Sequence, residues 1–173
     1  MNSLTANFEQ TVLDKNQRLL QQSSGKLLLR KPQQLRWMVN QPDESVLIAD
    51  GKTVYNVDPF VEQVTLMDQK QMTERNPLML LVSDMDQHWQ QVAVSKTENS
   101  FEILSLDEEA FITSVILQFD GNGQLKQLIS FDKQQQENRL SLSDVEINQA
   151  LDAKSFQFEI PVDWIIDDQR STD

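Results

Sequence analysis

A chain of 173 residues, 39% of them apolar, is long enough for one domain with a sizeable core and too apolar for a disordered segment. A formal charge of −12 repels phosphate backbones and anionic lipid surfaces, which argues against nucleic-acid binding. Cysteine is absent, which removes disulfides, thiol catalysis, cysteine-held metals and a lipid anchor on a cysteine of this chain.

Period-two alternation dominates from the start and argues for strands. Met1-Asn2-Ser3 leads straight into it, so no signal peptide is expected, and no apolar run nears the roughly 18–20 residues that cross a bilayer. Leu4, Ala6, Phe8 and Val12 begin the pattern, and Leu27 and Leu29 precede a break at Lys31-Pro32. Leu35, Trp37 and Val39 then share one strand face, with Arg36 and Met38 on the other. After a turn at Gln41-Pro42-Asp43, a strand over Ser45–Asp50 meets Asp50-Gly51, a two-residue hairpin signal, and returns over Lys52–Val57. Asp58-Pro59 turns the chain into a strand over Glu62–Met67.

The stretch Asn76–Ser83 differs. Asn76 suits an N-cap, Pro77 suits the first helical position, and Leu78, Met79, Leu80, Leu81 and Val82 follow. A short helix so apolar on every side must be covered or must itself cover something. Strands are expected again over Trp89–Val94, Phe101–Leu106, Ile112–Phe119, Leu125–Phe131, Arg139–Ile147 and Phe156–Ile160. Asp120-Gly121-Asn122-Gly123 joins two of them, and Asn148–Ala153 suits a helical turn. Ten or eleven strands predict one large sheet that curls, in a single domain over residues 1–173, with Asn76–Ser83 as the helix over its concave face.

Signals for chemistry are weak. The single histidine, His88, has no partner by spacing, and no nucleophile elbow, phosphate loop or dinucleotide fingerprint occurs. Asp84 and Asp86, the run Asp107-Glu108-Glu109, and Asp167-Asp168 lack the glycine-bearing loop and alternating ligands that calcium uses. No enzyme activity, metal or cofactor is expected. Apolar strand faces remain, and periodicity leaves open both a filled sandwich core and a hollow barrel that binds acyl chains.

Several phrases in fixed order bear on that choice: Gly25-x-Leu27 leading to Arg30-Lys31-Pro32; Leu35-Arg36-Trp37; Gln41-Pro42-Asp43-Glu44-Ser45; Ala49-Asp50-Gly51-Lys52-Thr53; Asp58-Pro59-Phe60-Val61-Glu62-Gln63-Val64; Asn76-Pro77-Leu78-Met79-Leu80-Leu81; and Phe156-x-Phe158-x-x-Pro161. Together they resemble the periplasmic outer-membrane lipoprotein carrier family, LolA, from about Ser3 to Arg170. The resemblance implies a mostly β fold: an open, unclosed antiparallel β-barrel of about eleven strands with a short helical lid. It implies a periplasmic chaperone that takes acylated lipoproteins from an inner-membrane ABC transporter and passes them to an outer-membrane lipoprotein acceptor, shielding their acyl chains in an apolar cavity. A soluble monomer is expected.

Leu35 and Trp37 match the family's cavity-facing positions, and the strand faces add Leu27, Leu29, Val39, Tyr55, Val64 and Leu66 to the expected lining. Leu78, Met79 and Leu81 match the family's lid helix, and Pro77 and Val82 complete the expected lid. The family's arginine before the proline of the Pro32 turn, where it helps latch the lid and release cargo, is Lys31 here. Lysine keeps the charge and loses the planar fork, which brings Arg30 and Arg36 forward as substitutes. The match starts after the family's N-terminal helix, which this sequence is expected to lack. Other readings are a lipid- or fatty-acid-binding module of the same fold without protein cargo, a hydrolase on an open barrel, and a scaffold with no cavity.

Overall fold

The computed structural model describes residues 1–70, 76–82 and 92–171. Among these, twelve strands form a single sheet in the order β12-β6-β5-β4-β3-β2-β1-β11-β10-β9-β8-β7. The first six, β1 (Ser3–Leu13), β2 (Leu19–Arg30), β3 (Gln34–Gln41), β4 (Ser45–Ala49), β5 (Thr53–Asp58) and β6 (Gln63–Asp68), make one antiparallel meander. A second meander comprises β7 (Val92–Lys96), β8 (Ser100–Ser105), β9 (Ile112–Phe119), β10 (Leu125–Asp132) and β11 (Glu137–Ile147). The two meet where β1 pairs with β11. A twelfth strand, β12 (Ile165–Asp168), joins the β6 edge in parallel, so the sheet has two ends and stays open.

The turns form as their chemistry requires. Asp50 Oδ1 accepts from the amides of Lys52 (2.8 Å) and Thr53 (2.9 Å), and Gly51 takes φ of +109°, which other residues rarely adopt. Asp120 Oδ1 caps the β9–β10 hairpin in the same way, from Asn122 and Gln124.

One face of the sheet closes round one continuous apolar cluster. Leu4, Ala6 and Phe8 of β1 lie in register beside Leu29, Leu27 and Gly25 of β2. Leu27 and Leu29 face Trp37 and Leu35 of β3, which face Leu47 and Ala49 of β4. From the other meander come Leu140, Leu142, Leu128, Val115 and Ile103. The cluster reaches Met67 on β6 and Val92 on β7, at opposite ends of the strand order, which requires the sheet to curl. Bulges between Thr5 and Asn7, and between Ser24 and Gly25, supply local bending. Gly25 is required by close approach: a Cβ there would sit 1.8 Å from the Met38 carbonyl oxygen. The bare backbone leaves the Phe8 ring free to lie against Trp37, with centroids 4.1 Å apart.

Two expectations change. The Phe156–Ile160 stretch is not a strand: Ala153–Phe156 is a 3-10 turn, capped by the Asp152 carboxylate on the Lys154 amide (3.0 Å), and the last strand comes later, at Ile165–Asp168. The apolar alternation of Phe156, Phe158 and Ile160 packs this segment onto the back of the sheet. Phe158, Ile160 and Trp164 cover Val57, Val64 and Leu66 there. The helical turn expected over Asn148–Ala153 lies a few residues later, at Ala153–Phe156, where Asp152 caps it. Of the expected Trp89–Val94 strand, residues 89–91 lie outside the described residues, as do Asp84, Asp86 and His88.

Candidate apolar binding face and its lid

The helical segment is a single turn, α1 (Pro77–Leu80), with Pro77 in its first turn. The Asn76 side chain accepts from the Leu78 amide at 3.0 Å. Bonds run from Met79, Leu81 and Val82 to the carbonyls of Asn76, Leu78 and Met79, the tight i→i−3 pattern of a 3-10 turn. So short a helix has little stability of its own and depends on what it packs against. Leu78, Met79 and Val82 are buried in the apolar cluster, with exposures of 2%, 0% and 0%, and Leu81 packs at its margin. The segment therefore covers the face that carries Leu27, Leu29 and Leu35, all fully buried.

Its anchor is a backbone contact to the β2–β3 turn. The Gln33 amide donates to the Val82 carbonyl at 2.9 Å. Gln33 is held in turn by Gln69, whose Nε2 donates to the Gln33 carbonyl (2.5 Å) and whose Oε1 accepts from the Gly51 amide (2.8 Å). The Gln69 amide also donates to the Lys52 carbonyl at 3.0 Å. Gln69 is buried, so the site is a small polar hub joining the Pro32 turn, the β4–β5 hairpin and the lid. Neither glutamine was among the expected site residues. The signal available in the sequence was only a polar residue after each of two strands.

The expected lining divides between two faces. Leu27, Leu29 and Leu35 come together under the lid, with Trp37 and Val39 half-buried beside them. Tyr55, Val64 and Leu66 lie on the opposite face, beneath the C-terminal segment, because the register sets Ile48 against Tyr55, and Tyr55 against Leu66. Burial, and then the nearby Asp50 carboxylate, hold the Tyr55 phenol above its ordinary pKa. Residues omitted from the expected lining but central to this face are Leu4, Ala6 and Phe8, whose alternation was legible, and Val54, Leu128 and Leu140.

The three candidate latch cations also separate. Arg30 and Arg36 point to the back. Arg30 donates to Gln34 Oε1 (2.6 Å) and the Leu151 carbonyl (2.8 Å), and lies 4.9 Å from the Phe156 ring centroid. Arg36 donates to the Ser155 carbonyl at 3.1 Å. Both hold the C-terminal segment. The Lys31 side chain is exposed, at a cleft of about 720 Å³ that it shares with Arg30, Asp50, Lys52 and Phe156.

The family described as "Outer membrane lipoprotein carrier protein LolA" matches residues 1–159. An outer-membrane lipoprotein carrier protein of Shewanella sediminis is 37% identical over 170 residues, covering 98% of this chain and 81% of that protein. This chain belongs to the LolA family. A carrier of the same description from Idiomarina loihiensis is 35% identical over 167 residues, covering 96% of this chain and 82% of its own length. Among solved structures, the LolA superfamily protein NE2245 from Nitrosomonas europaea aligns with a TM-score of 0.52 at 12% identity, over 91% of this chain and 90% of that one, which supports the shared fold. The open LolA-type sheet expected from the resemblance is therefore observed, with twelve strands among the described residues in place of about eleven, and with one helical turn of the lid among them. No described helix is long and apolar enough to cross a membrane. No group of three or more His, Asp or Glu able to hold a metal occurs among the described residues.

Proposed function

We propose that this protein is a periplasmic carrier of acylated lipoproteins, and that the face under α1 receives their acyl chains. The observation that carries the reading is the lid: three buried side chains on a single helical turn and the two residues after it, anchored by one backbone bond to a distant turn among the described residues. Burying each such side chain is worth about 1.5–3 kcal/mol, so the lid contact gains roughly 5–9 kcal/mol gross. At about 0.8 kcal/mol per CH₂, some six to eleven cargo methylenes replace it. Exchange of lid for cargo is then nearly balanced, and cargo passes to a partner that binds it better without fuel in the carrier.

The donor in this reading is an inner-membrane ABC transporter and the acceptor an outer-membrane lipoprotein receptor. The carrier itself performs no covalent chemistry and acts as a monomer. The Gln33–Val82 bond is the latch, and Lys31, beside it, with Arg30 and Arg36 behind the same turn, couples release to partner contact.

The test is extraction of a lipoprotein from energised inner-membrane vesicles. Wild-type protein moves the lipoprotein into the soluble fraction, and a folded Leu35→Glu variant leaves most of it behind. Vesicles that keep their lipoprotein at every concentration of wild-type protein would refute the carrier reading.

A further inference from the structure

On four neighbouring strands the apolar floor gives way to polar residues. Moving one step along each strand on the same face, Phe8 gives way to Gln10, Gly25 to Ser23, Leu140 to Asn138 and Leu128 to Ser130. These four strands, β2, β1, β11 and β10, are neighbours; Ser23 pairs with Gln10 and Asn138 with Ser130, and the two pairs are offset by one same-face step, since Gln10 stands opposite Leu140 and Val12 opposite Asn138. Ser23 Oγ donates to Gln10 Oε1 at 2.9 Å, and Gln10 Nε2 donates to Asn138 Oδ1 at 3.0 Å. Asn138 stands in register with Ser130. Ser23 and Ser130 are buried, 4% and 2% exposed, and Gln10 and Asn138 between them are half-buried.

An interior that had only to pack would place apolar residues here, because a buried polar group gains nothing over an apolar one unless it is bonded. Among the described residues no buried side-chain nitrogen or oxygen lacks a hydrogen-bond partner, and the Gln10 and Asn138 amides, which are only half-buried, stay within reach of a bound molecule. The lid anchor at Gln33 is at the other end of β2. Between Leu29 and Gly25 the apolar floor runs roughly 13 Å along the strand, at about 3.3 Å per residue.

Acyl groups carry a matching polarity: a long apolar chain ending in an ester or amide carbonyl, which accepts hydrogen bonds and donates none from its oxygen. Building on the carrier reading, we propose that Gln10, Ser23, Asn138 and Ser130 form a polar subsite that hydrogen-bonds the ester or amide carbonyls at the head of bound acyl groups. The ligand class is then an acyl ester or amide, rather than any alkyl chain of equal length.

The experiment compares a dipalmitoyl-cysteinyl lipopeptide with its dialkyl-ether analogue, which has the same chains and no ester carbonyls, by displacement of bis-ANS from the intact protein. Wild type is expected to favour the ester form about tenfold, the scale of one or two net hydrogen bonds. Asn138→Leu should bring the ratio of ester to ether affinity towards one, and the nearly isosteric Ser130→Ala should reduce it, which keeps the test intact where the leucine variant does not fold. Equal affinity for both lipopeptides in the wild type, or an ester preference that survives both substitutions, overturns the subsite and leaves the carrier reading standing. If neither lipopeptide displaces the dye, the carrier reading falls and the subsite with it.

Discussion

Met79→Ala tests whether α1 is a lid or an ordinary part of the core. Met79 is fully buried against the apolar face and sits in the middle of the turn. Truncating a buried methionine to alanine costs about 2–5 kcal/mol when the neighbours cannot relax. A single turn at the margin relaxes in part, so about 2–3 kcal/mol is expected. If α1 opens on its own, that loss falls on local opening and not on the fold of the sheet. The reporter is hydrogen exchange at the Gln33 amide, whose partner is the Val82 carbonyl. Its exchange should accelerate roughly 30- to 150-fold, since each 1.4 kcal/mol is a factor of ten. The Phe8 amide, in the central strand between β2 and β11, should keep its protection. Bis-ANS binding should rise in parallel as the apolar face is uncovered. Equal acceleration at Gln33 and Phe8 would show that α1 unfolds only with the sheet, and the exchange of lid for cargo would have no basis.

Other outcomes follow from the same contacts. Gly25→Ala drives a methyl into the Met38 carbonyl and to 3.1 Å from Phe8 Cε1; it should cost at least about 1–3 kcal/mol and lower the urea midpoint, and an unchanged midpoint would contradict the packing of Phe8 on Trp37. Gln69→Leu leaves the Gly51 amide and the Gln33 carbonyl without their partner, at about 1–3 kcal/mol for each buried group, and should raise exchange at Gln33 more than at Phe8. Hydrogen bonds from Arg170 hold Asp168 down to a pKa of about 2. Because the folded value is lowered, this pair's support for the β12 edge is complete above the ordinary carboxylate value near 3.9 and is lost as pH falls towards 2. Carboxyl NMR should place the Asp168 midpoint near 2 in wild type and near the ordinary value in Arg170→Ala; identical midpoints would remove the pair from the account.

Local rules carried much of the fold because strand, turn and cap signals are short-range. The Asp50-Gly51 hairpin, the Asp120 turn and the Asn76-Pro77 helix start each depend on a side chain reaching an amide two to four residues away. Leu27, Leu29, Leu35 and the lid residues were legible as one apolar set, and the ordered phrases from Gly25 to Pro161 pointed to the family. The division of the lining was not legible. Along β4, Val46 and Ile48 are as apolar as Leu47 and Ala49, and β6 sets Val64 and Leu66 opposite Met67.

Alternation sorts residues into two sets but does not say which set faces inward when both are apolar. Here both are, since residues 153–164 fold back across the outside of β4–β6, burying Val64 and Leu66 and partly covering Tyr55 there. That return, the Arg30 and Arg36 bonds that hold it, and the Gln33–Gln69 anchor all join positions far apart in the chain. By itself the sequence determined the strands of the two meanders, their turns and the apolar turn that covers them, but not the last strand at Ile165–Asp168. Tertiary structure alone decided which face is the inside, because that depends on what packs against each strand, and no strand carries that information within its own residues.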